Sequence, residues 1–317
     1  MHRLSSILRH SLPIFALTIA AAVQAADTIT PRLFSPKRTG DSYWFRDDRT
    51  TSSSTIITQK GTIVGSDRTS SHTVFEANVS VIKNNATGKA TEERFTVIEF
   101  TGSKNGGEAQ QLLAPGTVFS AKLKLREKIY TTADGEKLSP EAVSFLNQII
   151  ALRDNSITDE DIFAPEAPVS VGESWPINAD LASEDFNFDM TLQTDPKYLE
   201  GTVTLIDADD YEGTPSLHLL SEISISRVKL PEQKNLRLIK GDVLFLSENW
   251  LPQEGPVYPL HQKTEMKIVF IADPSEQDAF TPRRIMSTTE ITAIIDAKPM
   301  PRDESVTEVD RTLGIRR

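Results

Sequence analysis

The sequence predicts a mainly β protein. Its antiparallel meanders form two strand-rich halves joined by a short helical connector; the alternative is one curved half-barrel sheet with a covering helix. Three observations lead there. Apolar and polar residues alternate in several short runs, the mark of strands with one buried and one wet face. Tight turns rich in Asn, Asp and Gly separate those runs, which favours antiparallel pairing of neighbours. The period changes to a helical one only near residue 140.

Residues 1–25 read as a secretory leader. Arg3 and Arg9 precede an almost wholly apolar run, Leu12 to Val23, and Val23-Gln24-Ala25 supplies the small residues that place cleavage after Ala25. The run is shorter than the ~20 residues a spanning helix needs. No cysteine follows it for lipid attachment. The expected compartment is therefore extracytoplasmic, periplasmic or secreted. Residues 26–53, with Pro31, Pro36, Lys37 and Arg38, read as a polar lead-in.

The first β half is placed at 54–137. Thr55-Ile56-Ile57 and Thr62-Ile63-Val64 flank Gly61, and Phe75, Ala77, Val79 and Val81 alternate with polar residues. Asn84 to Gly88 turns the chain into a return strand, Phe95 to Phe100. Phe119, Ala121, Leu123 and Leu125 alternate with Ser120, Lys122, Lys124 and Arg126. Residues 138–180 form the helical and proline-rich connector. Ser139-Pro140-Glu141 supplies a cap, a proline at the first helical position and an early acid. Val143, Leu146, Ile149 and Ile150 follow at helical spacing, which predicts a helix over 140–153. Thr158-Asp159-Glu160-Asp161 starts a further turn, near in spacing to a capping box. The second β half is placed at 181–299. Its strands lie around Val203 and Leu205, Leu217 to Ile225, Leu236 to Leu246 (two short strands or one long), Met266 to Phe270, and Ile285 to Ile295. Residues 300–317 are a polar tail.

Composition narrows the chemistry. The chain has 34 basic and 45 acidic residues, a net charge of −11, and the leader carries none of the acids. That balance opposes nucleic acid and anionic surfaces as partners. With no cysteine there are no disulfides, thiolate zinc sites or cysteine nucleophiles. His72, His218 and His261 are isolated in sequence and read as surface or half-buried strand positions, and His218, opposite Leu217 and Leu219 in strand phase, is expected to face solvent. No metal ligand set, cofactor motif or catalytic residue is read.

The most distinctive segment is Val169-Ser170-Val171-Gly172-Glu173-Ser174-Trp175, between Pro168 and Pro176. Its pattern, Pro-Val-x-Val-Gly-[Asp/Glu]-[Ser/Thr]-Trp, resembles one in exported bacterial proteins of uncharacterised families, where it follows a helix and opens a second β region. The resemblance covers about residues 117–230 and implies no catalytic residue. Gly172 and Trp175 are read as a structural anchor: Gly172 permits a turn with positive φ, and Trp175 plugs the seam between the halves. The strand-rich, exported character is also similar in architecture to the lipoprotein-carrier half-barrels, which wrap a curved sheet around an acyl chain.

Other patterns reduce to local structure. Asp207-Ala208-Asp209-Asp210 fails the calcium-loop pattern at Glu212 and His218, and reads as a solvated turn. Asp159 to Asp161 suit a first helical turn. Ser80 and Lys83 have the spacing of a penicillin-binding motif, but on a strand they point apart. The expectation is a soluble, non-enzymatic exported protein that binds an apolar ligand or a cell-envelope partner through its β surface. A structural or assembly component of the envelope, and a hydrolase using paired carboxylates, are the alternatives.

Overall fold

A computed structural model describes residues 28–189, 193–229, 236–274, 283–303 and 305–306. The leader, its cleavage site and most of the polar tail lie outside the described residues. The first meander holds β1 (Ser42–Gln59), β2 (Thr62–Asn84), β3 (Ala90–Lys104), β4 (Gln110–Gln111), β5 (Val118–Lys124) and β6 (Glu127–Thr132). The second holds β7 (Ser174–Pro176), β8 (Leu199–Asp207), β9 (Asp210–Tyr211), β10 (Thr214–Ile225), β11 (Leu236–Pro252), β12 (His261–Pro274) and β13 (Arg283–Met300). Their order is β6-β5-β3-β2-β1-β13-β12-β11-β10-β8-β7, with β4 on β3 and β9 on β10. Among the described residues every strand pairing is antiparallel, and the sheet is open, ending at β6 and β7.

The two meanders are fused into this one sheet by β1 and β13. They pair from Ser42↔Met300 through to Gln59↔Arg283. This long-range ladder makes a single sheet out of segments that local turns alone build as two ribbons.

Strand β1 starts at Ser42, inside the segment read as a polar lead-in. Its polar run Arg46 to Ser54 hides the strand, because from Thr50 onward none of its residues is buried. Backbone ladders to β2 and β13 on both sides hold it instead. Even the preceding stretch is packed: Leu33 is buried, and Ile29 exchanges backbone hydrogen bonds of 2.8 Å with Val169. Residues 236–252 form one long strand, with a register shift between Leu238 and Lys240. The acidic turn before β10 is tight: Glu212 and Gly213 have φ of 48° and 82°, the double positive φ that a two-residue hairpin turn requires.

Helix α1 (Pro140–Ile149) begins as its sequence predicts. Ser139 Oγ accepts the Ala142 N–H at 3.2 Å, and the helix ends at Ile149 because Ile150 is extended. Helix α2 (Asp159–Phe163) has a complete capping box between Thr158 and Asp161. Helix α3 (Ala179–Asp189) lies across the start of the stretch assigned to the second β half, ahead of its first expected strand at Val203. Its buried positions include Ala182, Ser183 and Asp185, so no apolar period announces it. Asn178 starts it by accepting the Leu181 N–H at 3.2 Å.

One face of the sheet carries two hydrophobic clusters. The first gathers Phe75, Phe95, Phe100, Phe119 and Tyr130 beneath Phe145 and Leu146 of α1. The second gathers Leu199, Val203, Leu205, Leu217, Leu219 and Ile223 beneath Ile162 of α2, Ala182 of α3 and Trp175.

Candidate functional site

Between the two clusters the sheet is not filled. A cavity of about 620 Å³ lies there, lined by side chains from β1, β3, β8, β10, β11, β12 and β13 and from the helical connector. Its origin is legible strand by strand. Inward-facing positions alternate along each strand, and near the sheet's middle they turn small or polar. Ser221 stands between Leu219 and Ile223, Ser247 between Phe245 and Asn249, and Ala297 follows Ile295. A large residue at each of these places would join the two clusters into one core.

Most of the wall is apolar: Phe45, Phe95, Ile150, Phe163, Leu219, Phe245, Leu251, Met266 and Ile295 all contribute. Three polar groups interrupt it. On the sheet, Ser247 Oγ accepts hydrogen bonds from Asn249 Nδ2 at 3.0 Å and Gln262 Nε2 at 3.1 Å. At one end, Glu93 Oε1 accepts from Tyr43 OH at 2.8 Å and Lys37 Nζ at 3.0 Å, and Tyr258 packs on Tyr43 with ring centroids 4.9 Å apart. Burial, reinforced by the Glu93 charge, pushes the Tyr43 phenol well above its ordinary pKa. On the helical side, Asp185 binds Arg153 and accepts from Asn155 Nδ2 at 2.8 Å. Asp159 belongs to this group. It keeps accessible surface where it opens on the cavity, yet protein crowds it, and burial raises its pKa against the pull of Arg153 and Lys89.

The residues singled out from the sequence fall elsewhere, except Asp159. Gly172 has φ +85°, with its N–H bonded to Leu205 O at 2.7 Å. Trp175 is 7% exposed, and its Nε1–H donates to Phe163 O at 2.7 Å. Ser80 bonds Asp303 while Lys83 faces Glu92, so their spacing brings them to different partners. His72 contacts Asp48.

The other two histidines correct the expectation that they stand alone. His218 is half-buried rather than facing solvent, because Trp250 stacks on it with ring centroids 4.0 Å apart. His261 lies on the far side of the same indole, at 5.2 Å. Cross-strand register sets both contacts: Trp250 is opposite His218 on β10 and His261 on β12. Asp207 and Asp296 lie within 3.2 and 2.7 Å of His218 Nδ1 and His261 Nδ1. This row is on the sheet face away from the cavity. Among the described residues no cluster of three or more His, Asp or Glu is shaped to hold a metal.

Sequence reasoning missed the cavity residues Lys37, Tyr43, Glu93, Ser221, Ser247 and Tyr258. The available signal was the small polar residue inside the apolar phase of β10 and β11. What no local pattern carries is the register that sets them side by side.

No family model matches the chain, and no curated protein matches it. Among solved structures, one titled for lipid–protein interactions in lipovitellin is similar at 8% identity and a TM-score of 0.37. The match covers 83% of this chain and 26% of that one, so the chain spans about a quarter of the lipovitellin chain. OpdQ of Pseudomonas aeruginosa is similar at 7% identity and a TM-score of 0.20, over 82% of this chain and 98% of that one. No helix among the described residues is long and apolar enough to cross a membrane.

Proposed function

We propose that the protein is a non-enzymatic binding protein that holds an apolar ligand in the cavity between its two cores. One observation carries this reading: a mostly apolar cavity of about 620 Å³, inside the ~300–1,000 Å³ range of small-molecule sites, with a few convergent polar groups. Binding is favoured over hydrolysis because Glu93 is committed to Lys37 and Tyr43, and Asp185 to Arg153 and Asn155, which leaves Asp159 on the cavity wall without a second uncommitted carboxylate to form an acid–base pair. Neither is free to act as a general base. The work is done outside the cytoplasm, a reading supported by the leader pattern of residues 1–25. Protein recovered from the extracytoplasmic fraction should begin at Ala26, and an intact Met1 there would overturn that part.

Titration with N-phenyl-1-naphthylamine, a neutral dye that brightens in apolar surroundings, tests the site. Saturable binding of about one dye per chain is expected, and Ala297→Trp should abolish it by filling the cavity. A wild-type protein that leaves the dye dark, or an Ala297→Trp variant that binds it unchanged, would refute the reading.

A further inference from the structure

The cavity has a neighbour of opposite character. A cleft of about 360 Å³ adjoins it, and Ser35, Lys37, Val257 and Tyr258 line both. The two therefore meet along an edge formed by these four residues. Beyond it the apolar lining gives way to charge: Lys37, Arg38 and Arg302 line the cleft against a single acid, Asp41. In a chain of net charge −11 this is a local reversal of sign.

The three cations are not equivalent. Lys37 stands at the boundary, held 3.0 Å from Glu93 and 4.6 Å from the Tyr43 ring centre, so its charge is largely answered from within. Arg302 donates to the Thr39 carbonyl and stays 3.9 Å from Asp41. Arg38 is exposed, and it is its backbone N–H, not its guanidinium, that engages Asp41, at 2.6 Å. Asp41 is thus spent partly on backbone. Arg38 and Arg302 both line the cleft, with Asp41 as the one acid among its lining residues, and a guanidinium matches a carboxylate or phosphate through paired N–H donors.

We propose that the ligand is an anionic amphiphile: its single hydrocarbon chain fills the cavity, and its carboxylate or phosphate head sits in the cleft against Arg38 and Arg302. This rests on the cavity being the binding site and adds the sign and place of the head group. A neutral chain would leave the basic cleft unused. A cationic head would meet two arginines.

The test is competition against N-phenyl-1-naphthylamine on the full chain, with palmitate, hexadecyl phosphate, hexadecan-1-ol and hexadecylamine as competitors. Palmitate and hexadecyl phosphate should displace the dye at concentrations about three- to tenfold below hexadecan-1-ol, the size expected of two exposed charge contacts. Hexadecylamine should be weakest. The Arg38→Gln/Arg302→Gln double variant should bind the dye as wild type does and rank the anions with the alcohol. High salt should erase the preference in wild type, which checks the same point without a variant. Acetate and inorganic phosphate should leave the dye in place. Equal displacement by acid and alcohol, a preference for the amine, or a preference that survives both the double variant and high salt would overturn the head-group assignment while leaving the cavity reading standing. Failure of wild type to take up the dye would overturn both.

Discussion

The two cores solve one problem differently. In the first, rings meet rings: Phe75 lies 5.2–6.3 Å, centroid to centroid, from Phe45, Phe95, Phe100 and Phe119, within the range of favourable aromatic pairs. Helix α1 presses close over this cluster; a Cβ on Gly102 would stand only 3.2 Å from the Phe145 ring. In the second, the strands supply branched aliphatics, and the covering helices α2 and α3 are richer in acidic residues than α1. There Trp175 is buried against the cluster and also ties down the end of α2 through its bond to Phe163 O. A mesh of many rings tolerates the loss of one. Loss of Trp175 removes packing and a hydrogen bond together.

This difference predicts that Trp175→Ala is the most damaging single change. Removing a buried Trp costs about 3–5 kcal/mol, and the stranded Phe163 carbonyl adds about 1–3 kcal/mol. Phe75→Ala should cost less, near 3 kcal/mol, because its ring neighbours relax into the gap. Thermal melts of the two variants rank them. Hydrogen exchange should show α2 amides losing protection in Trp175→Ala while α1 amides keep theirs. A Phe75→Ala variant that melts lower than Trp175→Ala would break the comparison. Trp175→Phe isolates the hydrogen bond: it keeps most of the ring and should cost only about 1–3 kcal/mol.

Both clusters were visible in outline from the sequence, since Phe119/Ala121 and Leu217/Leu219/Ile223 alternate in the expected phase. So were the Ser139 cap and the positive φ at Gly172, because caps and turns are decided by a few adjacent residues. Three things were not legible. The β1–β13 ladder joins residues more than two hundred positions apart, and nothing in Ser52-Ser53-Ser54 or Thr288-Thr289 marks them as partners. Helix α3 buries Ala182, Ser183 and Asp185 in place of an apolar stripe. The cavity depends on which Ser and Ala fall next to one another across strands, and that depends on register alone.

The gap between the cores offers the next test. Ser221 lines the cavity between the inward-facing Leu219 and Ile223. Ser221→Leu should therefore extend the aliphatic core toward the aromatic one. Filling such a space commonly stabilises a protein by about 0.5–2 kcal/mol. The variant should melt higher than wild type and lose N-phenyl-1-naphthylamine binding, with the two effects appearing together. Destabilisation with binding intact would mean that the two cores are already in contact beneath Ser221.

The smallest effect expected concerns α2, the helix that Trp175 fastens, and its two acids of opposite temper. Asp161 accepts from the Thr158 hydroxyl and backbone N–H at 2.7 Å each, and those bonds hold its carboxyl below the ordinary pKa. Asp159, two residues earlier, is raised by burial. The signs follow by linkage. A lowered native pKa means the folded state binds its proton more weakly than the unfolded chain. Asp161 therefore stabilises above the ordinary Asp range, and that contribution is lost as pH falls through its native value. A raised native pKa means the reverse. Asp159 contributes nothing while protonated in both states; its destabilisation begins as pH rises through the ordinary Asp range, where only the unfolded chain ionises, and is complete above its native value. At neutral pH, Asp161→Asn should lower stability by under about 1 kcal/mol, the usual worth of an acid at a helix N-terminus. Asp159→Asn should raise stability there. Denaturant titrations across the acid range should show both differences shrinking toward zero as pH falls. If Asp159→Asn instead lowers stability at neutral pH, its carboxylate is paired in the native state, and the cavity wall holds an ion pair with Arg153 or Lys89 where burial was taken to dominate.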